Sequence, residues 1–140
     1  ANIRISTSAK YDPTQSTCTV PTAELSTTTT TVGATGSFEG TSITAPSSTN
    51  KMGAVLTYTD TSGTASLNTD LILDLSADNG SNYTRATLTA LPDFASGVKC
   101  CKVNDLTIGT AGTQLKYKIS FANQSSGSKE TRVTGVSLQY

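Results

Sequence analysis

Apolar and polar residues alternate with a period of two over much of the chain beyond residue 50. The clearest run is Leu71, Leu73 and Leu75, interleaved with Ile72, Asp74 and Ser76. Successive side chains of a strand point to opposite faces, so this is the pattern of a strand that buries one face. Asp78-Asn79-Gly80 follows. These residues tolerate positive φ, as a tight hairpin turn demands. Tyr83 to Leu91 is the predicted returning strand, with Ala86 and Leu88 on one face and Arg85 and Thr87 on the other. A second strong row is Leu115, Tyr117, Ile119 and Phe121, alternating with Lys116, Lys118, Ser120 and Ala122. One face of that strand is apolar and the other solvated.

Weaker segments fill the gaps. Gly53 to Asp60 predicts a strand with Ala54, Leu56 and Tyr58 on one face, and Val98 to Leu106 predicts another. Val32 to Gly40 alternates faintly. The chain closes on Val133, Val136, Leu138 and Tyr140, where Val133 is out of phase with the others and Gly135 marks a candidate bulge. Thr41 to Lys51, with Pro46, reads as a loop, as does Leu91 to Gly97, with Pro92 and Gly97. Asp60 to Gly63 and Thr107 to Thr113 read as turns, and Asn123 to Lys129 as a polar loop. Six or seven short strands at a spacing of about 8 to 14 residues, with no helical period, predict an all-β fold: an antiparallel β-sandwich or small barrel.

Residues 1–30 differ from the rest. Ile3 and Ile5 alternate with Arg4 and Ser6, but Pro13, Pro21 and the threonine run Thr27 to Thr31 offer no apolar face to bury. The expected organisation is an extended N-terminal arm over 1–30 and a β-domain over 31–140. A chain of 140 residues has room for one sizeable core.

Composition narrows the function. Ten basic residues balance ten acidic ones. A neutral chain lacks the lysine and arginine surplus that phosphate binding requires, so no nucleic-acid partner is expected. No apolar run approaches the roughly 20 residues that span a bilayer, so no membrane partner is expected either. Nor is there the basic start and apolar stretch of a signal peptide, which makes a cytoplasmic product the expectation.

The chemistry of catalysis is sparse. Histidine is absent, which removes the usual general base and the commonest metal ligand. No serine sits in a nucleophile elbow, no C-x-x-C pair is present, and no glycine-rich phosphate cradle occurs. The acids fall mostly in turn-like surroundings, where aspartate caps and bends the chain. No catalytic residue, cofactor or metal is therefore assigned. Asp74, Asp78, Asn79 and Asn82 cluster around the hairpin, but turn chemistry accounts for them better than calcium does. Asn79-Gly80-Ser81, Asn82-Tyr83-Thr84 and Asn123-Gln124-Ser125 match the glycosylation pattern, which a Ser/Thr-rich chain produces by chance.

Three cysteines, Cys18, Cys100 and Cys101, give no disulfide framework. Reduced thiols are expected, and a bridge from Cys18 to Cys100 or Cys101 stays open. Of the five tyrosines, Tyr11 and Tyr83 are the two expected to face solvent.

The stretch from Leu71 to Tyr140 resembles a domain type found in phage structural proteins, particularly those of aquatic phages. The resemblance rests on Ser76-Ala77-Asp78-Asn79-Gly80-Ser81-Asn82-Tyr83, Thr87-Leu88-Thr89, Leu115 to Ile119 and Gly135-Val136-Ser137-Leu138-Gln139-Tyr140. It implies a jelly-roll-like sandwich in a virion, of the kind used in capsid decoration or cement proteins and in tail fibres or spikes. A small chain with an arm is expected to be a decoration protein on the capsid surface, assembled in the host cytoplasm. It would bridge neighbouring subunits of the major capsid protein, as a homotrimer by analogy. The arm would supply the contact, with Ile3, Ile5, Tyr11 and Val20 as its partner-binding residues. Two other classes compete. A fibre, spike or carbohydrate-binding module recognising a host surface would show an exposed aromatic or acidic groove. A secreted adhesin or pilus-like subunit would carry a processed signal peptide and a disulfide.

Overall fold

A computed structural model describes residues 35–125 and 127–140. Residues 1–34, which include the arm and its four candidate contact residues, lie outside the described part. The described chain is all-β and antiparallel, as its alternation predicts. Seven strands run in order: β1 (Gly36–Glu39), β2 (Ile43–Ser62), β3 (Leu71–Ser76), β4 (Thr84–Arg85), β5 (Thr89–Ala95), β6 (Val98–Phe121) and β7 (Glu130–Gln139).

The strands form two ladders that share β6. In the first, β3 pairs with β4 on one side and with the end of β6 on the other, and β1 lies along the far side of β6. In the second, the start of β6 lies between β5 and β2, and β7 pairs with the outer side of β2. One core joins them. Leu71, Leu73 and Leu75 of the first ladder are fully buried together with Ala54, Leu56 and Cys101 of the second. This shared core fits the expected sandwich. Each buried leucine or isoleucine removed from water contributes about 1.5–3 kcal/mol.

The strongest sequence signals fall where the alternation places them. Leu73 stands opposite Ile119, and Leu75 opposite Tyr117. Ala54, Leu56 and Tyr58 are all buried. At the hairpin, Asn79 (φ 61°) and Gly80 (φ 83°) take the left-handed conformation that the turn requires. The bulge at Gly135 is present. Thr57 pairs with Gly135 while Tyr58 pairs with Val133, so Thr134 is the extra residue, and the slip restores Val133 to the core side.

Four segments depart from the expectation. The returning strand predicted over Tyr83–Leu91 is two pieces. Thr84–Arg85 pairs with β3, and the chain then crosses to the second ladder, where Thr89 pairs with Lys102. Ala86 and Leu88 are buried in passing. Leu91 to Ala95 belongs to β5 rather than to a loop, with Pro92 falling in the register slip between Leu91 and Ala95. Thr41 to Lys51 is largely strand, the first half of β2. Thr107 to Thr113 is strand too, inside β6. The last two have one physical cause, a pair of opposed excursions. From Thr44 to Thr49, β2 carries surplus residues against Gln114 to Gly112, and from Thr107 to Gly112, β6 carries the surplus against Lys51 to Thr49. Each excursion buries one small or branched side chain, Ala45 on β2 and Ile108 on β6. The predicted turn and loop are thus the irregular middle of one long pair.

Candidate functional site

The acid-rich hairpin is a self-contained turn. Ser76 Oγ donates to Asp78 Oδ1 at 2.7 Å, Asn82 Nδ2 donates to Asp78 Oδ2 at 2.7 Å, and the Asn82 backbone N–H donates to Asp78 Oδ1 at 2.9 Å. Gly80 N–H donates to Ser76 Oγ at 2.9 Å. The donors from Asn82 hold the Asp78 carboxyl below its ordinary range. Both carboxylate oxygens are occupied by the chain itself, which leaves them poor ligands. Asp74 turns away from this cluster to pair with Arg85. No group of three or more His, Cys, Asp or Glu side chains that could hold a metal gathers among the described residues.

A second acid, Asp70, is buried where two loops meet. Lys129 Nζ lies 2.7 Å from Oδ2, Asn123 Nδ2 donates to Oδ1 at 2.8 Å, and Ser66 N–H donates to Oδ2 at 2.9 Å. Lys129 above all, then Ser66 and Asn123, pull its pKa far below the usual carboxylate value. All the donors come from the segments that Asp70 joins, so the group ties the start of β3 to the approach of β7. A third acid, Asp60, receives Lys99 Nζ at 2.7 Å and Thr131 Oγ1 at 3.0 Å.

The two adjacent cysteines face opposite ways, as strand geometry requires. Cys101 is fully buried, and desolvation, with a smaller effect from Cys100, pushes its thiol up to about 11. Cys100 is half-buried on the outward side of the second ladder. Both are free.

The surface, rather than the acids, carries the unexplained features. Among the described residues, four large apolar side chains are exposed: Phe38 (42%), Ile43 (46%), Phe94 (75%) and Tyr140 (59%). Phe38 stands opposite Ile119 and Ile43 opposite Leu115, so both stand on the core side of β6. Their partners on β6 are fully buried. The core is therefore open along a rim made by β1 and the start of β2. The Phe38 ring stacks on Phe121 at 6.1 Å between centroids and meets Tyr117 edge-on at 6.2 Å. Phe94 stands near the tip of the β5–β6 hairpin, close to Gly97.

The tyrosines correct one expectation. Tyr83 is half-buried, not a free platform: Lys118 Nζ lies 4.4 Å from its ring centroid, and its hydroxyl is buried near the Glu39 carboxylate. Burial, then the neighbouring Glu39 carboxylate, pushes that hydroxyl up to about 12. Among the described residues the exposed tyrosine is Tyr140, which the alternation places with Val136 and Leu138. Tyr11 and the other arm residues proposed for contact, Ile3, Ile5 and Val20, fall outside the described residues. Phe38 carried no separate signal, because a strand at the edge of a core alternates like one at its centre, and Ile43 falls in the segment that reads as a loop.

No protein family, curated protein or solved structure matches this chain.

Proposed function

We propose that the chain is a structural protein of a virus particle, a capsid decoration protein that binds the major capsid protein and bridges neighbouring subunits as a homotrimer. The observation that carries this reading is the open rim. Phe38 and Ile43 leave the core uncovered along one edge, and a partner laid on that edge would complete it. A stable contact needs on the order of 1,200–2,000 Å² in total. The rim alone is small, and an extended arm has the surface to supply the rest, by lying along a neighbour or adding a strand to its sheet. The alternation of Ile3 with Ile5, the prolines that limit self-pairing and the few charges to desolvate suit residues 1–30 to that task, with Tyr11 and Val20 as further contacts.

Mass spectrometry of purified virions tests the reading directly, and absence of the chain from them sinks it. Two variants test the attachment. Phe38→Ser combined with Ile43→Ser should keep a cooperative urea melt yet lower occupancy on particles. Deletion of residues 1–25 should leave the β-domain folded, lower occupancy and let the particles open at a lower temperature. Full occupancy and full protection by both variants would remove the rim and the arm as points of attachment.

A further inference from the structure

We propose that the cleft between Tyr140 and the Asn104–Asp105 bulge binds a short oligosaccharide. The argument starts from a register slip. Met52 pairs with Leu106, but Ala54 pairs with Val103, so Asn104 and Asp105 together stand opposite Gly53. Gly53 permits this approach: a Cβ there would lie 2.9 Å from the Val103 carbonyl oxygen. Asp105 takes a left-handed conformation (φ 52°), which costs free energy in a residue other than glycine. The slip leaves Asn104 and Asp105 exposed, forming a polar ridge.

A depression flanks the ridge on each side. One, of about 310 Å³, is lined by Lys51, Gly53, Asn104, Asp105, Gln139 and Tyr140. The other, of about 620 Å³, shares Asn104 and Asp105 and adds Thr87, Thr89, Lys102 and Thr107. Because the ridge is common to both, a ligand longer than one ring can lie across it.

The lining selects the ligand class. The lining is mixed: amide, hydroxyl, carboxylate and ammonium groups stand beside the Tyr140 ring and the apolar residues Met52, Val103 and Leu106, so a wholly apolar ligand would leave the polar groups without partners. It is a poor anion site, since Asp105 stands in its middle and Lys51 Nζ is already bonded to Thr107 Oγ1 at 2.8 Å. A pyranose meets both demands. Its C–H face packs on an aromatic plane, here Tyr140, and its hydroxyls both donate and accept, as do the side-chain amides of Asn104 and Gln139. This assignment stands apart from the capsid reading, since it concerns residues 51–53, 87–107 and 139–140 and neither the rim nor the arm.

The test is a titration of the full ¹⁵N-labelled chain followed by amide shifts. The probes are methyl α-glucoside, methyl β-galactoside and the trimer of N-acetylglucosamine, each taken to about 50 mM, since single-ring contacts are weak. The inference expects saturable shifts confined to residues 51–53, 87–89, 102–107 and 139–140, with the trimer at least several-fold tighter than either single ring. Tyr140→Ala should weaken the trimer at least about tenfold, and Asn104→Ala several-fold, with the remaining amide shifts in place to show an intact fold. Absence of shifts with all three probes overturns the proposal. So do shifts elsewhere on the domain, binding that survives Tyr140→Ala unchanged, or a trimer no tighter than one ring.

Discussion

On the outward side of the first ladder, acid and base alternate across the strands, whereas the outward side of the second carries Lys102 and Arg132 with no ion pair among the described residues. The first presents Asp74 beside Arg85, and Glu39 beside Lys116, with Lys118 over the Tyr83 ring. The second presents Val55, Thr57 and Thr59 of β2 beside Val98, Cys100 and Lys102 of β6 and Leu91 of β5. The hairpin after β3 folds back over the first ladder, so Asp74 and Ser76 are buried although they point away from the core. A buried polar group must keep its hydrogen bonds, and these do. The second ladder keeps its register by packing and bulges instead, and the outward row of β2, Val55, Thr57 and Thr59, consists of β-branched residues that suit a pleated surface. The comparison teaches that the same alternation can mark a strand covered on both sides or on one, and that the polar positions distinguish the cases.

The largest effect should come from the inward rows that both ladders share. Leu73 and Ile119 face each other and are fully buried. Leu73→Asp or Ile119→Asp places an unpaired charge in the core, a cost comparable with the whole stability of about 5–15 kcal/mol. Neither variant should fold in soluble form. On the outward side of the same strand, Lys118→Ala should cost only about 1 kcal/mol, through the lost contact with the Tyr83 ring. A urea melt of Ile119→Asp that matches wild type would mean that the two sides of β6 have been assigned in reverse.

Asp70 bridges the comparison, because it ties the entry of a strand in the first ladder to the approach of one in the second. Its pKa in the folded chain lies far below its unfolded value of about 3.9. The unfolded chain then binds more protons in acid, so this group's contribution is fully present above about pH 4 and is lost as the pH falls through the folded value. Asp70→Asn should lower the urea midpoint at pH 7 and flatten the decline of stability below pH 4. An unchanged acid limb in that variant would place the origin of the decline elsewhere.

Much of this was legible along the chain, and the reason differs by region. The rows Leu71-Leu73-Leu75 and Ala54-Leu56-Tyr58 announce themselves because each sits centrally over the core, where every second side chain must be apolar. The first half of β2 and the middle of β6 do not, because their strand character comes from backbone pairing. Their side chains are mostly Ser, Thr and Gly, and each carries surplus residues that break the period. The crossing after Arg85 was hidden for a related reason: Ala86 and Leu88 keep the alternation going while the chain changes ladders. Of the surface features, Gly135 signalled its bulge through the phase of Val133. Phe38, Ile43, Phe94 and Tyr140 gave no sign of exposure, since residue type alone does not report how far a core extends. The cleft beside Tyr140 depends on the slip at Gly53, which follows from pairing between residues about 50 positions apart.

A modest effect should separate the two outward sides electrostatically. Asp74 is well buried but Arg85 is 60% exposed. Solvent screens such a pair, so a double-mutant cycle with Asp74→Ala and Arg85→Ala should give a coupling of about 1 kcal/mol or less. Thr57→Ala on the second ladder loses one hydroxyl contact, to Thr134 at 2.9 Å, and should cost about 0.5 kcal/mol. A coupling well above that of an exposed pair would show that the folded-back hairpin excludes water more fully than the exposure of Arg85 indicates.

The smallest effect on stability, and the most direct readout of strand phase, concerns the two adjacent cysteines. Cys100 belongs to the outward row of the second ladder, opposite Thr57, and Cys101 to the inward row, opposite Leu56. Cys100→Ser should therefore change stability by less than about 0.5 kcal/mol, as a half-exposed position with no buried partner to lose. The thiols should differ sharply in reactivity, because the thiolate is the nucleophile. Cys101 is held protonated by burial, with its pKa near 11, and lies beyond the reach of a reagent. Native chain treated with a maleimide near pH 7.5 and then digested should carry the adduct on Cys100 and none on Cys101 until denaturant is added. Fragmentation of the peptide that holds both residues assigns the site. Equal labelling of the two in the native state would mean that the start of β6 exchanges between registers, and the contrast between an inward and an outward row would fail there.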